Sequence, residues 1–407
     1  MKKSLFGSLA LLVISLLFLS SIVFAQDVNN VVTANNQFAF ELYSKYKSKD
    51  GNIFFSPYSL SSALAMAYEG ARGKTAEEMQ AVFNFPKDDS TRRESFLKIN
   101  DRINKKDKKY TLYILNALWA QKDYKFLDSY FQLIGRYYGG KVTNLDFINQ
   151  VEQSRLTINN WAEKQTNKKI ADLIPPGVLS SRTRLILANA VYFKGFWLKQ
   201  FDKRDTVDDE FRASPGNMVK TPMMHLNGKE AEFNYAETGQ LQILELPYEG
   251  EELSMLVILP KGDALKAAEE SLSAKKLSEW NNLLRRENVV VSLPKFKFTQ
   301  EYSMEDTLKA MGMPIAFTLG INFGGEADFS GMTGKKDLNI DVVIQEASIE
   351  VNEEGTEASV VTMGMMIPGR VRNPPKVFNA NHPFIFLIQE KETGNILFVG
   401  RVSNPTK

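Results

Sequence analysis

The chain has 407 residues, no cysteine and two histidines, with 50 basic against 48 acidic side chains. The absence of cysteine excludes disulfides, thiol nucleophiles and cysteine-ligated metals. The near balance of charge gives no reason to expect nucleic acid or an anionic membrane as partner, and a chain this long can hold together by its core alone.

Lys2 and Lys3 precede an apolar run from Leu5 to Val23, and Val23-Phe24-Ala25 offers small residues at a cleavage point before Gln26. Residues 1–25 therefore read as a signal peptide, so the mature protein is expected to be secreted or extracytoplasmic and free of the membrane. An uncleaved anchor is the alternative, because the run is nearly long enough to span a bilayer. Cleavage removes two lysines and no acid, which takes the formal net charge from +2 to about zero. Residues 26–36 form an N-terminal extension, in which Val31 and Val32 either pack on the body or belong to a frayed end. Residues 37–407 read as one domain.

Asn30 to Tyr46 sets Phe38, Leu42 and Tyr46 at helical spacing. Ser56-Pro57 is a helix opening, with a capping hydroxyl and a proline at the first helical position, and Tyr58 to Glu69 continues as a buried helix. Thr75-Ala76-Glu77-Glu78 has the pattern of a capping box that opens another. Tyr110 to Gln121 alternates as a strand, Val151 to Lys168 is amphipathic, and Leu185 to Trp197 reads as a central strand. Strands then dominate: Leu241 to Pro247, Leu253 to Leu259, Val289 to Phe298, Val342 to Val351 and runs within Phe384 to Val402, with a short helix from Met304 to Met311. No linker or repeat divides the chain. Helices come first and strands last, without βαβ alternation, which favours one α+β domain with mostly antiparallel sheets.

Hydrolytic chemistry is poorly provided for. His225 and His382 are the only histidine bases, both in packing or turn contexts, and no Gly-x-Ser-x-Gly elbow exists. Gly70-Ala71-Arg72-Gly73-Lys74-Thr75 resembles the end of a phosphate loop. However, Tyr68 stands where its first glycine belongs and a helix precedes it, so a glycine-terminated helix followed by another is the better reading. Two histidines without cysteine leave no zinc or haem constellation, and no EF-hand spacing occurs, so no metal or cofactor is expected. Lys105-Lys106-Asp107-Lys108-Lys109 reads as a solvated turn, with a polyanion contact as the alternative.

The most informative stretch runs from Asn352 to Thr362. A polar, glycine-marked turn enters small and β-branched residues, and then a loop from Met363 to Lys376 carries Arg370, Arg372 and two adjacent prolines. It resembles a strand left out of its sheet, and a long loop of this kind in a compact domain is usually functional or disordered.

These residues, taken with several others, resemble the serpin family over about Asn36 to Pro405. The matching segments are Asn52 to Ser59, Gly70 to Thr75, Leu187 to Gly195, Ala327 to Gly331, Glu353 to Ser359, His382 to Phe386 and Val399 to Val402. The resemblance implies an α+β fold of eight to nine helices on three mostly antiparallel sheets, with an exposed reactive loop at about 353–376. It also implies a monomeric inhibitor of serine peptidases, not an enzyme. The peptidase cuts the loop and is acylated, and the freed loop inserts into the large sheet as a new strand.

The hinge would be Glu353, Glu354, Gly355, Thr356, Glu357, Ala358, Ser359, Val360, Val361 and Thr362. Its alternate members Thr356, Ala358, Val360 and Thr362 are uncharged, as core-facing positions of an inserting strand require. The resemblance places the cut between Gly369 and Arg370, with Arg372 as an alternative. Arg370 suits a trypsin-like pocket, whereas Gly369 suits elastase-like or subtilisin-like enzymes. The family's gate network maps to Ser56, Ser59, Asn189 and Gln345, the last in place of the usual histidine. A non-inhibitory serpin, acting as chaperone or carrier, is the alternative function. Val360 and Val361, larger than inhibitors usually carry there, favour that reading.

Overall fold

The computed structural model describes residues 30–105, 108–166, 168–170, 172–227, 231–318, 327–355 and 374–407. The expected signal peptide lies outside this set. So do Thr356 to Thr362 of the hinge, the Gly369–Arg370 bond and Arg372. Among the described residues no helix is long and apolar enough to cross a membrane.

Helix α1 (30–46) buries Phe38, Leu42 and Tyr46 as one stripe, and Val31 and Val32 in its first turn are buried as well. After β1 (Ile53–Phe55) comes α2 (Pro57–Gly70). The Ser56 hydroxyl accepts the Ser59 N–H, and Pro57 sits in the first turn, where a missing donor costs nothing. Helix α3 (Gly73–Phe83) starts before the Thr75 box and has no side-chain cap at Arg72. Thr75 instead accepts the Asp328 N–H at 2.9 Å, and Glu78 accepts the Ile315 N–H at 3.0 Å. The capping-box reading is therefore corrected: both side chains tie the helix to distant loops.

Helix α4 (Asp89–Ile103), strand β2 (Tyr110–Gln121), helix α5 (Asp128–Tyr138), strand β3 (Lys141–Leu145) and helix α6 (Val151–Gln165) complete the first half. Strands follow: β4 (Leu185–Gly195), β5 (Val207–Ser214), β6 (Asn217–Leu226), β7 (Glu232–Glu237), β8 (Leu241–Pro247) and β9 (Leu253–Pro260). Helices α7 (Leu265–Ser271) and α8 (Ala274–Leu283) precede β10 (Arg285–Pro294) and β11 (Phe296–Ser303). Then come α9 (Glu305–Met311), α10 (Ser330–Thr333), β12 (Val342–Val351), β13 (Lys376–Asn379), β14 (Phe384–Glu390) and β15 (Ile396–Val402). The described residues thus hold ten α-helices, the excess over the expected eight or nine lying in short pieces such as α7, α9 and α10.

One sheet has the order β11-β12-β4-β2-β3; the other strands follow the path β1-β15-β14-β9-β8-β7-β10-β6-β5, with β13 beside β10. The second path is two sheets joined through β10. Arg285 to Asn288 pair with β7, while Val291 to Pro294 pair with β6. The expected continuous strand from Val289 to Phe298 is in fact two. After Pro294 the chain leaves one sheet, Lys295 donates to the Pro222 carbonyl, and Phe296 enters the other beside β12.

The five-stranded sheet positions the candidate site. Its odd-numbered residues on β12 and β4 face α2, and its even-numbered residues face α6. The chain after α6 crosses that second face. Ile170, Leu173, Ile174 and Leu179 are buried with Ile158 and Ala162 of α6 against Ala188, Ala190, Val342 and Ile344. Asn159 holds this covering segment by accepting the Ile174 N–H at 2.8 Å and donating to its carbonyl at 3.0 Å.

Candidate functional site

The seam between β12 and β4 is parallel, from Val342↔Ile186 to Ser348↔Tyr192. Each of these strands has an antiparallel neighbour on its other side, β11 and β2. The ladder stops at Ser348, and the ends Ile349 to Val351 and Phe193 to Gly195 are not paired with each other. A strand running down this seam would be antiparallel to both flanking strands. One parallel ladder, the slightly weaker kind, would be exchanged for two antiparallel ones.

Beneath the seam Ser56, Ser59, Asn189 and Gln345, the residues expected to form a gate, come together, each fully buried. Gln345, Asn189 and Asn116 stand side by side across three strands, because Gln345↔Asn189 and Asn116↔Asn189 are register partners. The Gln345 amide donates to the Asn189 side-chain oxygen at 2.6 Å and to the Ser56 carbonyl at 2.9 Å, and its own oxygen accepts the Ser56 N–H at 3.0 Å. Asn189 donates to the Ser59 hydroxyl and to Asn116, both at 2.5 Å, and Asn116 donates to the Ser62 hydroxyl at 3.1 Å. Ser56 donates its hydroxyl to the Leu397 carbonyl at 2.7 Å. The network joins β12, β4 and β2 to the start of α2 and to β15, and it carries no charge. Glutamine serves at 345 because it both donates and accepts.

Asn116 and Ser62 were not read from the sequence. The signal was available: an asparagine in the otherwise apolar Ile114 to Ala120 must find a partner if the strand is buried.

At the upper end of β12 the hinge begins as a tight turn. The Asn352 N–H donates to the Gly355 carbonyl at 2.9 Å, and the Gly355 N–H to Asn352 at 3.2 Å. Gly355 has φ +121°, and a Cβ there would lie 2.4 Å from the Gly195 carbonyl oxygen and 2.5 Å from the Trp197 nitrogen. Both conformation and space demand glycine. The turn is clamped to the chain beyond β4. Trp197 N–H donates to the Glu354 carbonyl at 2.9 Å, Phe201 N–H to the Glu353 carbonyl at 2.8 Å, and the Trp197 indole to the Asn352 carbonyl at 3.0 Å.

Side chains add to the clamp. Lys295 pairs with Glu353 at 2.9 Å, Thr206 donates to Glu353 at 2.9 Å, and Lys203 pairs with Glu354 at 2.5 Å. Burial pushes the Glu353 carboxyl up, but its own backbone N–H, Lys295 and Thr206 together hold it below the usual range. A cavity of about 420 Å³ opens here between Lys203, Lys295, Lys297 and Glu350 to Glu354. None of the clamping residues outside 352–355 was legible in the sequence, since they come from connecting segments remote in the chain, after β4 and between β10 and β11.

His225 Nδ1 lies 2.9 Å from the Ser292 hydroxyl, but the two are cross-strand neighbours on β6 and β10. No described carboxylate orients that imidazole, as a hydrolytic triad would require. The Nε2 of His382 lies 2.6 Å from the Pro260 carbonyl, a tie between loop and strand. Helix α2 ends at Gly70 and α3 starts at Gly73, the expected succession of helices. Of the basic run, Lys106 and Asp107 lie outside the described residues. Lys108 donates to the carbonyls of Ile103 and Leu112, at 2.9 and 3.3 Å.

With this geometry in view, the comparisons are direct. The chain is 42% identical to a serpin-like protein of Thermococcus kodakarensis, over 92% of this chain and 86% of that one. It is 38% identical to leukocyte elastase inhibitor A of Rattus norvegicus, over 92% and 99%. The fold superposes on uncleaved ovalbumin with a TM-score of 0.82 at 30% identity, over 92% of this chain and 100% of that one. The family model described as Serpin (serine protease inhibitor) matches residues 33–405, and the chain belongs to the serpin family.

Proposed function

We propose that this serpin inhibits serine peptidases by a single-use trap. Serpins are generally protease inhibitors rather than catalytic enzymes, and the family generally targets serine proteases. The observation that carries the reading is the parallel β12–β4 seam, with the hinge turned back at its upper end. The chain that follows Gly355 would enter this seam antiparallel to both neighbours. About a dozen residues would carry the cut end roughly 40 Å, at about 3.3 Å each. The intact protein is then metastable, with the loop held out kinetically.

In this reading a peptidase cleaves after Gly369 or Arg370, with Arg372 a further choice, and its acyl-enzyme is dragged across the sheet. The target is trypsin-like, elastase-like or subtilisin-like. Residues 1–25 direct export, and the mature protein acts as a monomer outside the cytoplasm. Incubation with a panel of serine peptidases should yield a complex stable to SDS with at least one of them. Mass spectrometry of the released C-terminal fragment then identifies the bond. Clean loop cleavage with no complex from any member, and no rise in melting temperature of the nicked protein, would overturn the trap.

The second reading, a non-inhibitory serpin, draws on Val360 and Val361 and on a structural neighbour of that kind, ovalbumin. The same experiment separates the two.

A further inference from the structure

We propose that the α6-facing side of the β12–β4 seam is a proton-controlled latch, in which a protonated Glu346 keeps the covering segment seated and an ionised Glu346 favours opening of the sheet. The inference rests on the insertion reading, because it assigns a regulator to the same seam.

Glu346 follows Gln345 on β12, so it points to the opposite face, under the segment that crosses from α6. Its register partner across the seam is Ala190, which is packed beneath Ile170, Leu173 and Ile174. Its partner on the other side, on β11, is Glu301. Of the four cross-strand pairs on this face of β11 and β12, Ser303 and Ile344 are the last, and the other three differ in kind. Lys297 and Glu350 form an ion pair at 2.7 Å, Thr299 and Ser348 a hydrogen bond at 3.0 Å, while Glu301 and Glu346 oppose two acids. Like charges directly opposite destabilise a sheet.

The surroundings offer no compensation. The covering segment contributes Asp172, whose field also disfavours the Glu346 carboxylate. From α6 the buried residues are Ser154, Arg155, Ile158, Asn159 and Ala162, and the one cation among them, Arg155, is engaged by Glu152 at 2.7 Å and by the Ile174 carbonyl at 2.9 Å. From β4 come Ala190 and Tyr192. The cations on this face are placed elsewhere: Lys297 on Glu350, and Lys169 over the Tyr192 ring at 5.6 Å. Among the described residues neither Glu346 nor Glu301 has an ion-pair partner. Burial, then Glu301 and Asp172, push the Glu346 carboxyl up to about 7.

Insertion requires β12 and β4 to part beneath the covering segment. Parting admits water to Glu346 and separates it from Asp172, so the charged form gains more from opening than the neutral form does. Raising the pH through neutrality therefore lowers the free energy of the opened sheet relative to the closed one.

The test uses the full mature chain and a blocked synthetic peptide with the sequence of residues 353–364. Insertion of the peptide into the sheet is followed by native gel and by the gain in thermal stability, between pH 5.5 and 8.5. The annealing rate of the unaltered protein should rise at least tenfold over this range, since each pKa unit relieved on opening is a factor of ten. The Glu346→Gln protein should anneal at a rate independent of pH. Glu301→Gln, which leaves Glu346 in place, should move the midpoint of the rise to lower pH. Annealing with the same pH slope in the unaltered and Glu346→Gln proteins overturns the latch and leaves the insertion reading standing. Failure of the peptide to anneal at any pH, in all three proteins, overturns insertion itself and the latch with it.

Discussion

Two adjacent residues of β12 meet opposite requirements. Gln345 looks toward α2 into a neutral network in which its donors and its acceptor are all engaged, while Glu346 looks toward α6 across from a second acid. On the first face, buried polarity is fully paired and ties the seam shut, independently of pH. On the second, a half-buried titratable group lacks an opposite charge, and closing the seam costs more as the pH rises. In the proposed insertion, the first face would supply a barrier to opening and the second a means of modulating it.

The largest effect should come from breaking the neutral face. Gln345→Leu leaves the Ser56 N–H and the Asn189 oxygen unpaired at a fully buried position and removes one of the two donors to the Ser56 carbonyl, which keeps the Leu60 N–H; it is expected to destabilise the native form by about 2–4 kcal/mol. A chemical-denaturation midpoint that stays unchanged would show that the amide row contributes nothing. Spontaneous loop insertion should accelerate in the same variant, at every pH.

A smaller effect, of opposite sign, should come from the other face. The Glu346 carboxyl is raised in the folded protein to about 7 from an ordinary 4.5. Its contribution is therefore fully present below about pH 4.5 and is lost as the pH rises to about 7. Glu346→Gln should abolish that loss and stabilise the protein at pH 8 by about 1–2 kcal/mol, a figure reduced for the partial exposure of the group. Thermal-unfolding midpoints of the two proteins should coincide at pH 4.5 and diverge above pH 6. Parallel curves throughout would remove the distinction between the faces.

The smallest effect belongs to the exposed pair further up the same strand. Lys297→Ala should change stability by less than about 0.5 kcal/mol, because an exposed ion pair gains little in water. A shift as large as that of Glu346→Gln would mean that net charge on this face, rather than the opposition of two acids, is what matters.

Several elements were legible from local chemistry. Ser56-Pro57 announces a helix start and makes one, and Leu241 to Pro247 and Val342 to Val351 alternate or run apolar as strands and fold as such. Other local signals misled. Thr75 and Glu78 match a capping box, yet distant N–H groups claim both side chains. The Val289 to Phe298 run gives no notice of its division between two sheets at Lys295. Helix α4 escaped because its sequence is largely polar, with only a few buried apolar positions such as Phe96, Ile99 and Ile103.

The site divides in the same way. Gly355, the hinge residues and Ser56, Ser59, Asn189 and Gln345 were named from the resemblance to the serpin family. Asn116 joined them only through register, and Lys203, Thr206 and Lys295 only because the segments after β4 and β10 pass near one turn.

Sequence alone determined the family, because its short motifs are runs of consecutive residues in a fixed order. Tertiary structure alone decided that Gln345 meets Asn189 and that Glu346 meets Glu301. Strand register sets which side chains stand opposite each other, and register is fixed by packing over the whole sheet rather than by any stretch of chain.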